Sequence, residues 1–266
     1  MTQYDSIGSS YLVVGELLFK QMELAMVRRA IRPLLKPDAT IVEFACGTGF
    51  YTQEILSWTT STITSMDISP VMLDIASKNI SAGGRGRVRF VLGDGTVLRS
   101  YAPDKSIGFF DCAFGGWFLN YAENRTELIA MFATIAHNLS HDGVFVGVVP
   151  HPTEDLIARR KAYSRSPLDR MWPRLEYIKE IDEGSGWSSR IHLDEDVSFV
   201  ATHMKQSTYE AAAREGGFRG KLEWRSEGIQ ELGFKGKWIE QFDLTAEEYK
   251  IREANPVMGL LIVWKN

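Results

Sequence analysis

The stretch Ile41-Val-Glu-Phe-Ala-Cys-Gly-Thr-Gly-Phe50 constrains this chain more than any other. Ile41 to Ala45 reads as a short buried strand, and Gly47 and Gly49 form a turn that opens a helix at about Phe50. Glycines at such a turn let the backbone take φ > 0 and let a ligand approach the main chain closely. The amides that start the helix then face a negatively polarised group. Glu43, two residues into the strand, lies beneath that ligand. The predicted architecture is α/β: a Rossmann-like, doubly wound, mostly parallel sheet whose ligands lie outside the carboxyl ends of its strands.

Two nucleotide-like ligands compete for this turn. A dinucleotide fingerprint requires a third glycine, G-x-G-x-x-G, and here Thr52 stands in its place. Asp67 follows Gly49 by 18 residues and ends the apolar strand Ser61 to Met66. A carboxylate there accepts two hydrogen bonds from ribose hydroxyls, at a spacing that suits either ligand. Its competing role is to cap the turn at Ser69. Val88 to Asp94 reads as a third strand ending in another acid, although Asp94-Gly95 is also a plain turn pair.

The motifs E-x-A-C-G-T-G, D-I-S-P-x-M and G-D-G-T, in this order, resemble those of class I S-adenosylmethionine-dependent methyltransferases over roughly residues 40 to 150. The resemblance implies S-adenosyl-L-methionine as cofactor. Glu43 would then bond the methionine amino group, with Ala45, Gly47 and Gly49 giving the backbone its approach. Asp67 would take the ribose and Ile68 the adenine face. Asp94 would accept from the adenine amino group, Gly95 or Thr96 would donate to a ring nitrogen, and Gly93 and, in strand four, Gly115 would also contact the cofactor. Ala45 and Cys46 depart slightly from the family's commonest loop.

Residues nearer the acceptor carry weaker signals. Trp117, in Gly115-Gly-Trp-Phe-Leu-Asn120, would stack on an aromatic substrate or pack in the core. The run Trp-Phe-Leu-Asn-Tyr-Ala-Glu resembles small-molecule methyltransferases of the toxoflavin synthase type. The segment Tyr4 to Tyr11 is similar to the part of such enzymes that folds over the donor, which makes Tyr11 a contact candidate. Among five histidines, His151 directly follows strand five at the ligand edge and is the best-placed base. A surface turn beside two prolines is its alternative. His137 and His141 form an i, i+4 pair without a third ligand, so no metal is expected.

Alternating elements continue along the chain. Residues from about Tyr11 to Leu35 carry apolar groups at near-helical spacing, and Phe50 to Trp58 reads as a helix. Ser69-Pro70 is a helix start, with Gly83-Gly84 as its stop. Asp111 to Gly116 is the fourth strand, Asn124 to Glu127 resembles a capping box, and Gly143 to Val149 is a buried strand. After Pro150 short strands are expected at 177–181, 188–193 and 197–203. Ser207 to Glu210 reads as another capping box, and Met258 to Trp264 is an antiparallel last strand. One domain over 1–266 is expected, with a helical cover at 1–38 and a lid or substrate wall inserted at 151–206.

A formal charge of −4, from 30 basic and 34 acidic residues, argues against nucleic acid as a partner. Two cysteines outside any Cys-x-x-Cys pair allow no disulfide framework or zinc pattern. The amino terminus lacks the pattern of a signal peptide, and no apolar run approaches the roughly 18 residues needed to span a bilayer. A cytoplasmic, small-molecule methyltransferase acting at nitrogen or oxygen of an aromatic or heterocyclic acceptor is the expectation. The aromatic residues Trp172, Tyr177, Trp187 and Phe199 of the inserted segment motivate that acceptor class. A donor-binding protein of this fold with a non-methylating or regulatory role is the alternative.

Overall fold

Buried strands alternating with amphipathic helices build a seven-stranded sheet in a computed structural model. It describes residues 2–266, apart from the side chains of Ser9, Tyr11 and Val13. The chain opens with α1 (Gln3–Ile7), a 3-10 segment (Gly8–Glu16) and α2 (Leu18–Ile31). Then follow β1 (Ile41–Phe44), α3 (Phe50–Ile55), β2 (Ile63–Asp67), α4 (Pro70–Asn79), β3 (Val88–Leu92) and β4 (Phe110–Gly116). Next come α5 (Arg125–Asn138), β5 (Leu139–Pro150), α6 (Leu156–Tyr163), β6 (Arg174–Ile181), β7 (Gly186–His192) and β8 (Ser198–Met204). The chain closes with α7 (Gln206–Glu215), β9 (Leu222–Arg225), α8 (Lys235–Phe242), α9 (Ala246–Glu253) and β10 (Met258–Trp264).

The large sheet runs β3-β2-β1-β4-β5-β10-β9. Its first five strands are mutually parallel. The last strand, β10, is antiparallel to both neighbours. The chain winds from β1 towards β3 and then returns to lay β4 on the other side, so the topological switch point lies between β1 and β4. Alternate residues of β1 feed opposite faces. Ile41 joins a core built with α2 and α8, whereas Val42 and Phe44 join one built with α5 and α7. A separate antiparallel sheet, β6-β7-β8, comes wholly from residues 174–204.

Several local signals operate as physical chemistry dictates. Ser69 Oγ accepts from Met72 N–H at 3.2 Å, and Pro70 opens α4. Asn124 Oδ1 accepts from Glu127 N–H at 2.9 Å and starts α5. Four expectations need correction. The helix foreseen from Tyr11 to Leu35 is confined to Leu18–Ile31. Gly15 weakens its start, and Pro33 has no N–H to extend its ladder. The helix foreseen to Trp58 stops at Ile55, and α4 ends at Asn79, before the Gly83-Gly84 pair. Ser207 does not cap α7. Lys205 holds the cap position, and the Ser207 hydroxyl donates to Glu154 at 2.8 Å.

Candidate active site

Adjacent parallel strands end side by side, which brings the acids Glu43 (β1), Asp67 (β2) and Asp94 (after β3) to one edge of the sheet. A cavity of about 900 Å³ opens there, at the switch point. Its wall includes Glu43, Ala45, Gly47, Asp67, Ile68 and Trp117, together with the whole run from Gly93 to Thr96.

Glu43 is buried beneath the turn, and its Oε2 accepts from Thr52 Oγ1 at 2.6 Å and Ser65 Oγ at 2.7 Å. Burial pushes its carboxyl up to about 7 against the pull of those two hydroxyls. The turn itself departs from ordinary backbone, with positive φ at Ala45 (55°), Gly47 (53°) and Gly49 (84°). Gly47 N–H donates to Asp67 Oδ2 at 2.8 Å, and Ser69 N–H donates to Oδ1 at 2.9 Å. Burial raises the Asp67 carboxyl, and these amides oppose the rise. Asp67 therefore does secure the Ser69 turn while it also lines the cavity. Asp94 Oδ1 accepts from the amide and the hydroxyl of Thr96 at 2.8 and 2.7 Å. Ile68 presents an apolar side chain that is 48% exposed on the same wall.

Three other candidates lie elsewhere. Gly49 is absent from the cavity wall, and a β-carbon added there would stand 3.2 Å from Ala76 of α4. Its place is the close contact between turn and helix. Gly115 packs against Phe118 and Phe145, and Gly116 lines the cavity in its stead. His151 is also off the wall, and its Nδ1 pairs with Ser226 Oγ at 3.2 Å. Burial, and then the nearby Arg159, lower it to about 4. The side chain of Tyr11 lies outside the described residues.

Trp117 has φ 63°, a left-handed conformation that is costly for a bulky aromatic. Residues in such conformations gather at functional sites where the surroundings hold them. Its indole Nε1 donates to Glu23 Oε2 at 2.8 Å. The other oxygen of Glu23 accepts from Lys20 Nζ at 2.5 Å and Tyr51 hydroxyl at 2.6 Å. Lys20 Nζ also sits 4.4 Å from the Tyr51 ring centroid. Lys20 and Tyr51 line the cavity, and neither was singled out from sequence. The available signal was Lys20 and Glu23 standing inside the apolar stripe of α2, between Phe19 and Val27.

Strands β6 to β8 supply the opposite wall through Lys179, Ser188, Ala201 and Thr202. The amino terminus crosses between the two sides. Asp5 Oδ1 accepts from Ser69 Oγ at 2.6 Å, and the Gln3 side chain pairs with the Val200 backbone at 2.9 and 3.0 Å. A narrower apolar chamber of about 60 Å³ adjoins the cavity at Trp117 and Asn120. Tyr177 and Phe199 line that chamber, whereas Trp172 and Trp187 pack against the main core. His203 faces the chamber with both nitrogens engaged, by Tyr177 hydroxyl at 2.7 Å and His151 carbonyl at 3.0 Å.

A family model described as a methyltransferase domain matches residues 41–143. A malonyl-[acyl-carrier protein] O-methyltransferase from Halalkalibacterium halodurans is 31% identical over 91 residues. That match covers 34% of this chain and 32% of the relative, so the chain spans about a third of the relative's length. Among solved structures, an S-adenosylmethionine-dependent methyltransferase from Mesorhizobium loti superposes with a TM-score of 0.61 at 19% identity. The alignment covers 91% of this chain and 99% of that one. A putative methyltransferase of Haloferax volcanii, solved with the Trm112 methyltransferase activator, gives 0.66 at 15% identity over 100% and 98%. At these identities the two structures speak to the fold.

Proposed function

Residues 41–143 of this chain belong to the class I S-adenosylmethionine-dependent methyltransferases, and from that premise we propose an enzyme that methylates nitrogen or oxygen of a small aromatic or heterocyclic molecule. The observation that carries this reading is the convergence of Glu43, Gly47, Asp67 and Asp94 on one cavity of about 900 Å³. That volume lies within the range of small-molecule sites and leaves room for an acceptor beside a nucleoside.

The residues present fit the cofactor. The Asp67 carboxylate, fixed by two amides, is oriented for ribose hydroxyls. Ile68 offers an apolar face for adenine, and Asp94, held by Thr96, takes its amino group. Glu43 meets the methionine ammonium beneath the turn. The cofactor supplies a methyl group on a sulfonium, whose S–C bond breaks onto sulfur as the acceptor's lone pair forms the new bond. Alignment and exclusion of water are then the protein's main tasks. His203 has no nitrogen left to act as a base, and His151 stands off the cavity. An acceptor that arrives as a neutral amine or an acidic hydroxyl suits such a site.

Residues 151–206 serve in this reading as the acceptor wall, and the amino-terminal helices serve as a cover clasped between Ser69 and Val200. Among the described residues no helix is long and apolar enough to cross a membrane. Two buried free thiols, Cys46 and Cys112, accord with a reducing cytoplasm. Calorimetric titration with S-adenosylmethionine, S-adenosylhomocysteine and NAD tests the core of the reading. Micromolar binding of the first two without NAD is expected. Silence towards both sulfur ligands would overturn it.

A further inference from the structure

We propose that Asn120 is the acceptor-binding residue, its side-chain oxygen holding an N–H of an amine acceptor whose apolar part enters the narrow chamber beyond Trp117. The inference rests on the donor reading above and names the acceptor's chemistry at the same site.

Asn120 is 2% exposed and lines both the main cavity and the chamber. Its Oδ1 is buried without a hydrogen-bond partner among the described residues. Other acids of the site are engaged by protein groups: Glu43 by two hydroxyls, Asp67 by two amides, Asp94 by Thr96. A buried acceptor without a donor is costly and rare in native structures, and a ligand that supplies the donor removes the cost. Asn120 stands on a 3-10 turn (Leu119–Tyr121) that begins two residues after the left-handed Trp117.

The chamber sets the rest of the acceptor. Phe19, Leu175, Ile191 and Phe199 give it an apolar lining, and the side chains of Tyr177, Ser189 and His203 on its wall already have hydrogen-bond partners. At about 60 Å³ it admits an apolar substituent or ring edge and leaves the acceptor's body in the main cavity. An amide oxygen accepts a hydrogen bond but is no base. An amine suits it, because the nitrogen keeps its N–H on Asn120 while its lone pair forms the new C–N bond. The S–C bond breaks onto sulfur, and the resulting ammonium loses its proton to water.

The test uses the full chain saturated with S-adenosylhomocysteine, titrated with aniline, N-methylaniline and N,N-dimethylaniline. Binding of the first two at least about 10-fold tighter than the third, which lacks an N–H, is expected. Asn120→Leu should abolish that preference, and Asn120→Asp at pH 8 should restore it. S-adenosylhomocysteine affinity should stay within about twofold throughout, because no donor contact is assigned to Asn120. Equal binding of all three probes by the wild type, or an unchanged preference in Asn120→Leu, would overturn the proposal while leaving donor binding intact. Failure of the wild type to bind S-adenosylhomocysteine would instead remove the parent reading, and this one with it.

Discussion

The main-chain N–H of Gly47 donates to Asp67 Oδ2 at 2.8 Å, and so ties the turn after β1 to the end of β2. One carboxylate thus sets the shape of the turn and faces the cavity. Its replacement should be felt twice. Hydrogen bonds to a charged group contribute about 1.5–3 kcal/mol, so Asp67→Ala should weaken S-adenosylhomocysteine by roughly 10- to 100-fold. The unfolding midpoint of the unliganded variant should fall as well, since the part-buried Gly47 amide and the buried Ser69 amide lose their acceptor. Calorimetry and urea titration separate the two effects, and undiminished affinity would contradict the ribose role.

The two glycines of the turn should fail in different ways. Gly49 has φ 84°, and an added β-carbon would meet Ala76 at 3.2 Å, so Gly49→Ala strains the backbone and crowds α4. A loss of about 1–3 kcal/mol in stability is expected, with donor affinity retained once the protein is folded. At Gly47 an added β-carbon meets nothing within 4 Å. Gly47→Ala should therefore cost about 1–2 kcal/mol of backbone strain and, by projecting into the cavity, weaken donor binding disproportionately. Measuring both quantities for both variants checks the assignment, and the opposite pattern would exchange the two roles.

Glu43 predicts a pH dependence with a definite sign. Burial raises its carboxyl to about 7 from an ordinary value of 4.5, so the fold favours the neutral form. That contribution to stability is complete below 4.5 and is lost as pH rises through about 7. Unliganded wild type should lose up to about 3 kcal/mol relative to Glu43→Gln between pH 4.5 and 8. Donor binding should run the other way, because an ammonium selects the ionised carboxylate. Affinity for S-adenosylhomocysteine should tighten from pH 6 to 7.5 in the wild type and stay flat in Glu43→Gln.

Much of this architecture is written locally, and what is not local was not legible. The run Met258 to Trp264 announces a buried strand by itself, and Ser69-Pro70 announces a helix start. Glu43, Asp67 and Asp94 share an edge because each stands at or near the end of a strand whose order follows from the doubly wound pattern. Asp67 and Asp94 are legible as strand-end acids, but their partners are not, since hydrogen bonds from Gly47 and Thr96 depend on turn geometry. Lys20 and Glu23 stand inside the apolar stripe of α2, but the sequence does not say what they meet there. Their burial is set by Tyr51 and Trp117, 28 and 94 residues away from Glu23, and no periodicity encodes such a meeting. Elements α8, α9 and β9 escaped for a related reason. Helix α8 is stabilised by Trp238 against Met22 of α2, so its partner comes from the other end of the chain.

The cluster around Glu23 supports a last prediction. Three donors converge on this buried carboxylate: Lys20 Nζ, the Tyr51 hydroxyl and the Trp117 indole. The cluster joins the amino-terminal helix α2 to the helix after the glycine turn and to the left-handed residue after β4. Breaking a buried ion pair from one side costs about 3–5 kcal/mol, because the remaining charge is left without its partner. Lys20→Met and Glu23→Leu should each lower stability by about that amount in urea titrations. The double variant should recover part of the loss, since no unpaired charge remains, although the Tyr51 hydroxyl and the Trp117 indole still lack an acceptor. Strongly non-additive effects are therefore expected, with a coupling of about 3 kcal/mol or more, since the double variant should lose less than either single variant. Donor affinity provides the second readout. If Lys20 on the cavity wall meets the methionine carboxylate, the double variant regains stability but not affinity. Recovery of both would make the cluster a purely structural clasp for the cover.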